Sequence, residues 1–240
     1  MHRIFTDKEI DIKENYIVDK EDYNHIVNSL RMREGEEVEI ASSNAVYLSI
    51  IETIGNKSLE LKIIKSLDTR SESDIKIILY QAFAKGDKMD LIIQKAVELG
   101  VYEISPINTK RTVVRLDEKR MKKKVERFNI IAKSSAQQSR RDYIPKVNEM
   151  IELDQIDEKN LLLAYENENE VNLKDVLKSC DTDRIGIVIG PEGGFEEDEV
   201  EALKLKGAKI ISMGPRILRT ETAAISMISL IQYELGDMGA

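Results

Sequence analysis

Two short stretches near the carboxyl end hold the residue types best suited to chemistry. One reads GPEGGF at 190–195 and the other GPRILRTETAA at 214–224. Each follows an apolar run, one βα unit apart, which suggests two loop rims converging on one small-molecule pocket. The glycines allow sharp turns and close approach of a ligand to backbone amides. No GK[ST] follows the first loop and no GxGxxG occurs, which excludes the usual phosphate-cradling loops. The helix expected next opens Glu196-Glu197-Asp198-Glu199. Acids there stabilise the helix dipole and make this helix end a poor anion site. A neutral or cationic ligand is tolerated. S-adenosylmethionine, a sulfonium without phosphate, meets that description where NAD and ATP do not. In the second loop, Arg216 and Arg219 flank Ile217 and Leu218, more positive charge than a helix start requires and suited to an RNA phosphate or base. Thr220 or Thr222 is expected to cap the last helix. The small residues Ala223, Ala224 and Ser226 let that helix start lie close to another backbone.

The elements that must position these loops follow from periodicity. From 75 onward, apolar runs alternate with amphipathic stretches. Strands are expected at 75–83, 102–107, 161–166, 184–190 and 208–213. Helices are expected at 85–99, 117–138, 173–180, 196–206 and 221–235. The nearly unbroken apolar run RIGIVIG is that of a strand covered on both faces. The pattern is α/β with a mostly parallel sheet and ligand loops at the strands' carboxyl ends. Residues 1–70 differ. Alternation from 37 to 67, broken at Ser42-Ser43-Asn44 and Gly55-Asn56, predicts short antiparallel strands in a small β-barrel or sheet, with one helix near 19–30. The polar stretch 68–74 is the expected linker.

The chain has 240 residues, 42% hydrophobic and 33% charged, within the range of an ordinary soluble globular protein. No apolar run approaches the roughly 18–20 residues of a membrane span. The start has no apolar signal region, so a cytoplasmic protein is expected. Cys180 is the single cysteine, and His2 and His25 lack metal-site spacing, so no metal is expected. The net charge of −8 hides an asymmetry. Residues 107–146 hold 13 Lys and Arg against 4 Asp and Glu, a local +9, so the remainder carries −17. A basic surface on an acidic protein can concentrate a polyanion on one face. Within it, Arg140 and Arg141 lie in the polar stretch QQSRRDYIP, without obvious helical partner acids.

The paired loops IGPEGGF (189–195) and MGPRILRTETAA (213–224) resemble the signature of the RsmE family. These are bacterial 16S ribosomal RNA uridine N3-methyltransferases of the SPOUT superfamily. MHRIF at the start, KGDKMDLIIQKAVELGV (85–101) and QQSRRDYIP (137–145) agree in order, so the similarity covers essentially the whole chain. It implies a PUA-like RNA-binding β-barrel at 1–70 and a methyltransferase domain with a deep trefoil knot at 71–240. It also implies S-adenosylmethionine as cofactor, a homodimer, and 16S rRNA within the small ribosomal subunit as substrate. On this basis the cofactor is expected on Ile189, Gly190, Gly194, Met213, Gly214, Ile217 and Leu218, with Tyr165 closing one wall. N3 of uracil carries a proton that must leave, which calls for a base or a cation beside it. Arg219 is expected to orient uracil or stabilise its anion, with Glu221 and Glu192 as possible proton acceptors. Arg115, Arg140, Arg141 and Arg216 are expected at RNA. A ribose 2′-O-methyltransferase and a non-catalytic ribosome-assembly factor are the alternatives. Nucleoside chemistry separates the first, and loss of S-adenosylmethionine binding would favour the second.

Overall fold

The computed structural model describes residues 2–69, 71–112 and 117–239. The chain forms two compact units, one of residues 1–71 with 136–144 and one of 72–135 with 145–240. The segment 136–144, expected in the second domain, is therefore compact with the first.

In the first unit, β1 (His2–Phe5), β2 (Asn15–Ile17), β3 (Glu37–Ala41), β4 (Val46–Ile54) and β5 (Leu59–Leu67) form one sheet in the order β1-β3-β4-β5-β2. All pairs are antiparallel except β1 with β3. The alternation seen in the sequence places Ile4, Val38, Ile40, Ile51, Leu59 and Leu61 in one buried cluster. Each such side chain contributes roughly 1.5–3 kcal/mol. The helix expected at 19–30 is a short α1 (Lys20–Tyr23), started by Asp19, whose carboxylate accepts from the Asp22 amide at 2.8 Å. It continues as a wider π-type stretch at Asn24–Ser29.

The second unit runs β6 (Lys76–Ala82), α2 (Lys88–Glu98), β7 (Glu103–Asn108), α3 (Glu118–Ser139, whose residues 136–139 count with the first unit), β8 (Lys146–Val147), β9 (Ile151–Glu152), β10 (Leu161–Ala164), α4 (Leu173–Lys178), β11 (Arg184–Ile189), α5 (Glu197–Leu205), β12 (Lys209–Ile211) and α6 (Thr220–Leu235). Its sheet has the order β12-β10-β11-β6-β7-β8, with β9 also on β7, and every pair is parallel. Ile77, Ile78 and Leu79 of β6 and Ile185, Ile187 and Val188 of β11 are buried. Successive residues point to opposite faces, so both faces of the sheet centre are covered. Gly100, with φ of +85°, ends α2. The two-residue strands β8 and β9 are too short to leave a periodic signal. Among the described residues no helix is long and apolar enough to cross a membrane.

This topology fixes where the two Gly-Pro loops go. β10, β11 and β12 are neighbours and parallel, so their carboxyl ends lie at one edge of the sheet. The segment after β12, at the sheet border, returns past β10 to start α6 beside β11 and β6.

Candidate active site

At that edge lies a cavity of about 290 Å³, near the lower end of the roughly 300–1,000 Å³ of small-molecule sites. Tyr165 follows β10, Ile189 and Gly190 end β11, Gly194 sits in the first loop, and Met213, Gly214, Ile217 and Leu218 form the second. All line the cavity, together with Glu192, Arg216 and Arg219. Glu166, Asn169, Phe195, Thr220 and Ala223 complete the wall.

Two glycines are required by geometry. Gly194 has φ of +70°, and a Cβ there would collide with the Glu166 carboxylate. Gly214 has φ of +104°, a backbone conformation costly for any residue with a Cβ. A Cβ on Gly190 would come within 2.8 Å of the Phe195 ring, so the glycine lets the loop close over its own aromatic residue.

Thr220 ties the two loops together. Its Oγ1 donates to the Gly190 carbonyl at 2.7 Å and accepts from Gln81 Nε2 at 2.9 Å. Gln81 is fully buried in β6 and also donates to the Ala82 carbonyl. The expectation of a Thr220 or Thr222 helix cap is corrected. Arg219 is the N-cap residue and makes no side-chain cap bond. The start of α6 is packed against the sheet, so the Thr220 hydroxyl finds a carbonyl across the loop rather than an amide of its own helix. Neither Gln81 nor Thr220 was a site candidate from sequence; Gln81, a lone amide in an apolar strand, was the available signal.

Behind the first loop a second connection forms. Lys88 Nζ, from the first turn of α2, is 2.8 Å from Glu192 Oε1 and 3.4 Å from Glu221 Oε2. Glu221 faces this ammonium and does not line the cavity. Burial pushes the Glu192 carboxyl up, but the Lys88 hydrogen bond and charge outweigh it and hold it below its ordinary value. Lys88 is raised in turn, chiefly by its bond to Glu192. Glu192 is therefore ionised and occupied at neutral pH, a weakened proton acceptor.

The acidic start of α5 is used differently from the expectation. Glu199 accepts from the Glu196 amide at 2.9 Å and from the Lys110 amide at 2.8 Å. Glu196 pairs with Arg111 at 2.9 Å, and Asp198 pairs with Lys110. The hydrogen bonds from Arg111 and Lys110 hold the Glu196 and Asp198 carboxyls below their ordinary values. None of residues 196–199 lines the cavity. The basic end of the β7 segment pairs with two of these four acids, Glu196 and Asp198. Arg111 also donates to the Gly193 carbonyl at 2.8 Å, bracing the first loop from outside.

The arginines expected at RNA separate. Arg216 is exposed on the cavity rim. Arg140 is exposed, with φ of +56°. Arg141 is only 3% exposed and lies 4.9 Å over the Tyr143 ring. A guanidinium so placed is largely out of water. Arg115 lies outside the described residues. No group of three or more potential metal ligands occurs among the described residues.

The comparisons agree with this geometry. A model of the RNA methyltransferase domain matches residues 71–232, and one of the RNA methyltransferase PUA domain matches 18–64. The ribosomal RNA small subunit methyltransferase E of Bacillus subtilis is 34% identical over 98% of this chain and 97% of its own length. This chain belongs to the ribosomal RNA small subunit methyltransferase E family. A solved methyltransferase E from Neisseria gonorrhoeae, bound to S-adenosyl methionine, superposes with a TM-score of 0.91. It is 29% identical and covers 99% of both chains. A Legionella pneumophila methyltransferase in complex with the same cofactor gives 0.90 at 32% identity, over 98% of both. The loops at 189–195 and 213–220 thus belong to a methyltransferase E chain aligned nearly end to end with cofactor-bound relatives.

Proposed function

We propose that this chain transfers a methyl group from S-adenosylmethionine to N3 of a uridine in 16S rRNA of the small ribosomal subunit. One observation carries the reading. A chain that aligns over its whole length with a cofactor-bound methyltransferase E has the two loops of its own signature closed into one cavity. The residues present fit the cofactor. Gly194 and Gly214 leave backbone uncovered at the cavity wall, and Ile189, Phe195 and Leu218 offer apolar surface for an adenine. The backbone of 189–190 and 213–218, with Tyr165, would hold it. When bound, it supplies an electrophilic methyl on a sulfonium.

The remaining chemistry belongs to side chains. The uridine must be held with N3 about 3–3.5 Å from the methyl carbon and in line with the leaving sulfur. Arg219, at the cavity wall and first in line before α6, is assigned to orient uracil and stabilise the anion left when the N3 proton departs. Lys88 holds the Glu192 carboxyl below its ordinary value and lies 3.4 Å from Glu221. With Glu192 so engaged, transition-state stabilisation by Arg219 is the dominant contribution, and proton removal by Glu192, which lines the cavity where Glu221 does not, the lesser one. Arg216 and Arg140 contribute to RNA binding.

The division into a PUA-like RNA-binding barrel at 1–70 and a methyltransferase domain at 71–240 belongs to the same proposal, as do a homodimer and a cytoplasmic site of action. The exposed Leu230 and Tyr233 of α6 support self-association; sedimentation should give twice the 27.4 kDa chain mass. We also propose the trefoil knot. Its support is the segment that leaves border strand β12 and re-enters the sheet centre, where Thr220 bonds to Gly190 and Gln81. Nucleoside mass spectrometry of 16S rRNA from a strain lacking the gene tests the activity: 3-methyluridine should disappear. Its persistence at normal level, or a lost ribose methylation instead, would contradict the reading.

A further inference from the structure

The N-terminal half of α3 is a basic helix face whose lysines have no acidic partner among the described residues. Within 118–127 stand Lys119, Arg120, Lys122, Lys123, Lys124 and Arg127 against only Glu118 and Glu126. Met121, Val125 and Phe128 take the buried side, while Lys119, Arg120, Lys122, Lys123 and Arg127 are exposed. Arg120 pairs with Asp117 at 3.4 Å, and Arg127 pairs with Asp90. No acid among the described residues pairs with Lys119, Lys122, Lys123 or Lys124.

Helix physics gives no reason for this arrangement. Cations near a helix N-terminus oppose the macrodipole. Lys119 with Lys123, and Arg120 with Lys124, are like charges four residues apart, which weaken a helix. Helix formation alone would favour acids here, as at the start of α5. The cost is offset if an external polyanion lies along the face, and the chain around it is acidic overall, at −8.

Two contacts bound the distance between this face and the cavity. Arg111, seven residues before α3, donates to the Gly193 carbonyl of the first loop, and seven residues reach at most about 25 Å. Arg127 pairs with Asp90, two residues from the Lys88 that holds Glu192. Lys119, Lys123 and Arg127 follow one another at about 6 Å per step along one face of the helix. We infer that this face of α3 is a phosphate-binding rail that carries the ribosomal RNA strand past the mouth of the methyl-transfer cavity. The inference rests on the reading of the chain as an enzyme acting on ribosomal RNA.

The test is binding of intact small ribosomal subunits by the full-length protein, wild type against Lys119→Gln/Lys122→Gln/Lys123→Gln, over a salt series. Each lost phosphate contact lowers the log–log salt slope by about 0.9 in duplex and about 0.7 in single-stranded RNA. The triple variant should therefore lose roughly two units of slope and at least tenfold in affinity at moderate salt. S-adenosylmethionine affinity and thermal midpoint should be unchanged, because Gln is as good a helix former as Lys. A control, Lys174→Gln/Lys178→Gln/Lys209→Gln, should bind as wild type does. An unchanged slope in the α3 variant overturns the rail. So does a loss on subunits that is absent on naked 16S rRNA, since it assigns the face to a ribosomal protein. Binding does not depend on turnover, so failure of wild type to methylate would reject the proposed activity while the slopes still judge α3.

Discussion

Arg216 and Arg219 stand on the wall of an open cavity, and no acid among the described residues pairs with either. In the first unit, Arg3 and Arg141 are each 3% exposed. Arg3 donates to Glu39 at 3.0 Å, to the carbonyls of Arg140 and Arg141, and to Asp142 at 2.6 Å. Thr69 and Ser71 hold the same Asp142 carboxylate. The difference teaches how charge divides labour in this chain. A guanidinium out of water must be fully paired, so it belongs to folding. One left in water without a partner adds little to stability and is available to an outside anion.

The comparison is broken most readily at Arg3. Arg3→Met leaves Glu39 and Asp142 without their cation and should cost about 3–5 kcal/mol in urea unfolding. A loss below about 1 kcal/mol, the level of a surface ion pair, would place Arg3 with the rim arginines. Arg219→Ala should do the reverse. Its stability should stay within about 0.5 kcal/mol, while kcat on small subunits falls by about 10²–10³. Thr220→Val removes one of the two acceptors of buried Gln81 and frees the Gly190 carbonyl. It should cost about 1–3 kcal/mol and weaken S-adenosylmethionine binding measured by calorimetry. Arg141→Ala removes a buried guanidinium that also stacks on Tyr143 and should lower stability by about 1–3 kcal/mol. Its salt slope for RNA should not change, and a lower slope would return Arg141 to the RNA surface.

The smallest effect concerns pH. Burial, and then the charge of neighbouring His25, lower His2 from 6.5 to about 4, with the two rings 4.8 Å apart. Below pH 6.5 the unfolded chain takes up this proton first. Stability is therefore full above 6.5 and declines as the pH falls towards 4. For a half-buried ring the loss should be about 1 kcal/mol. His2→Gln should flatten the wild-type difference in urea midpoint between pH 7 and 4.5 by that amount.

Much of this was legible in the sequence because it rests on local rules. Strand and helix periodicity gave the parallel sheet, and the Gly-Pro loops after apolar runs gave the two rims at 189–195 and 213–218, while Tyr165 came from the family resemblance. What was not legible depended on partners distant in the chain. The acid of QQSRRDYIP, Asp142, meets Arg3 across 139 residues. The acids at 196–199 looked free until Lys110 and Arg111 were found beside them. Thr220 looked like a cap because capping is the short-range use of a hydroxyl. Its actual bonds cross to Gly190 and Gln81, which no window of sequence contains.

The central claim is that the 189–195 and 213–220 loops form one cavity for methyl transfer to uridine N3. The direct measurement gives purified protein methyl-labelled S-adenosylmethionine and small subunits from a strain lacking the gene, then digests the rRNA to nucleosides. The account predicts label in 3-methyluridine with wild type and a loss of at least a hundredfold in rate with Arg219→Ala. No transfer by wild type, label on a ribose, or full activity of Arg219→Ala would contradict it.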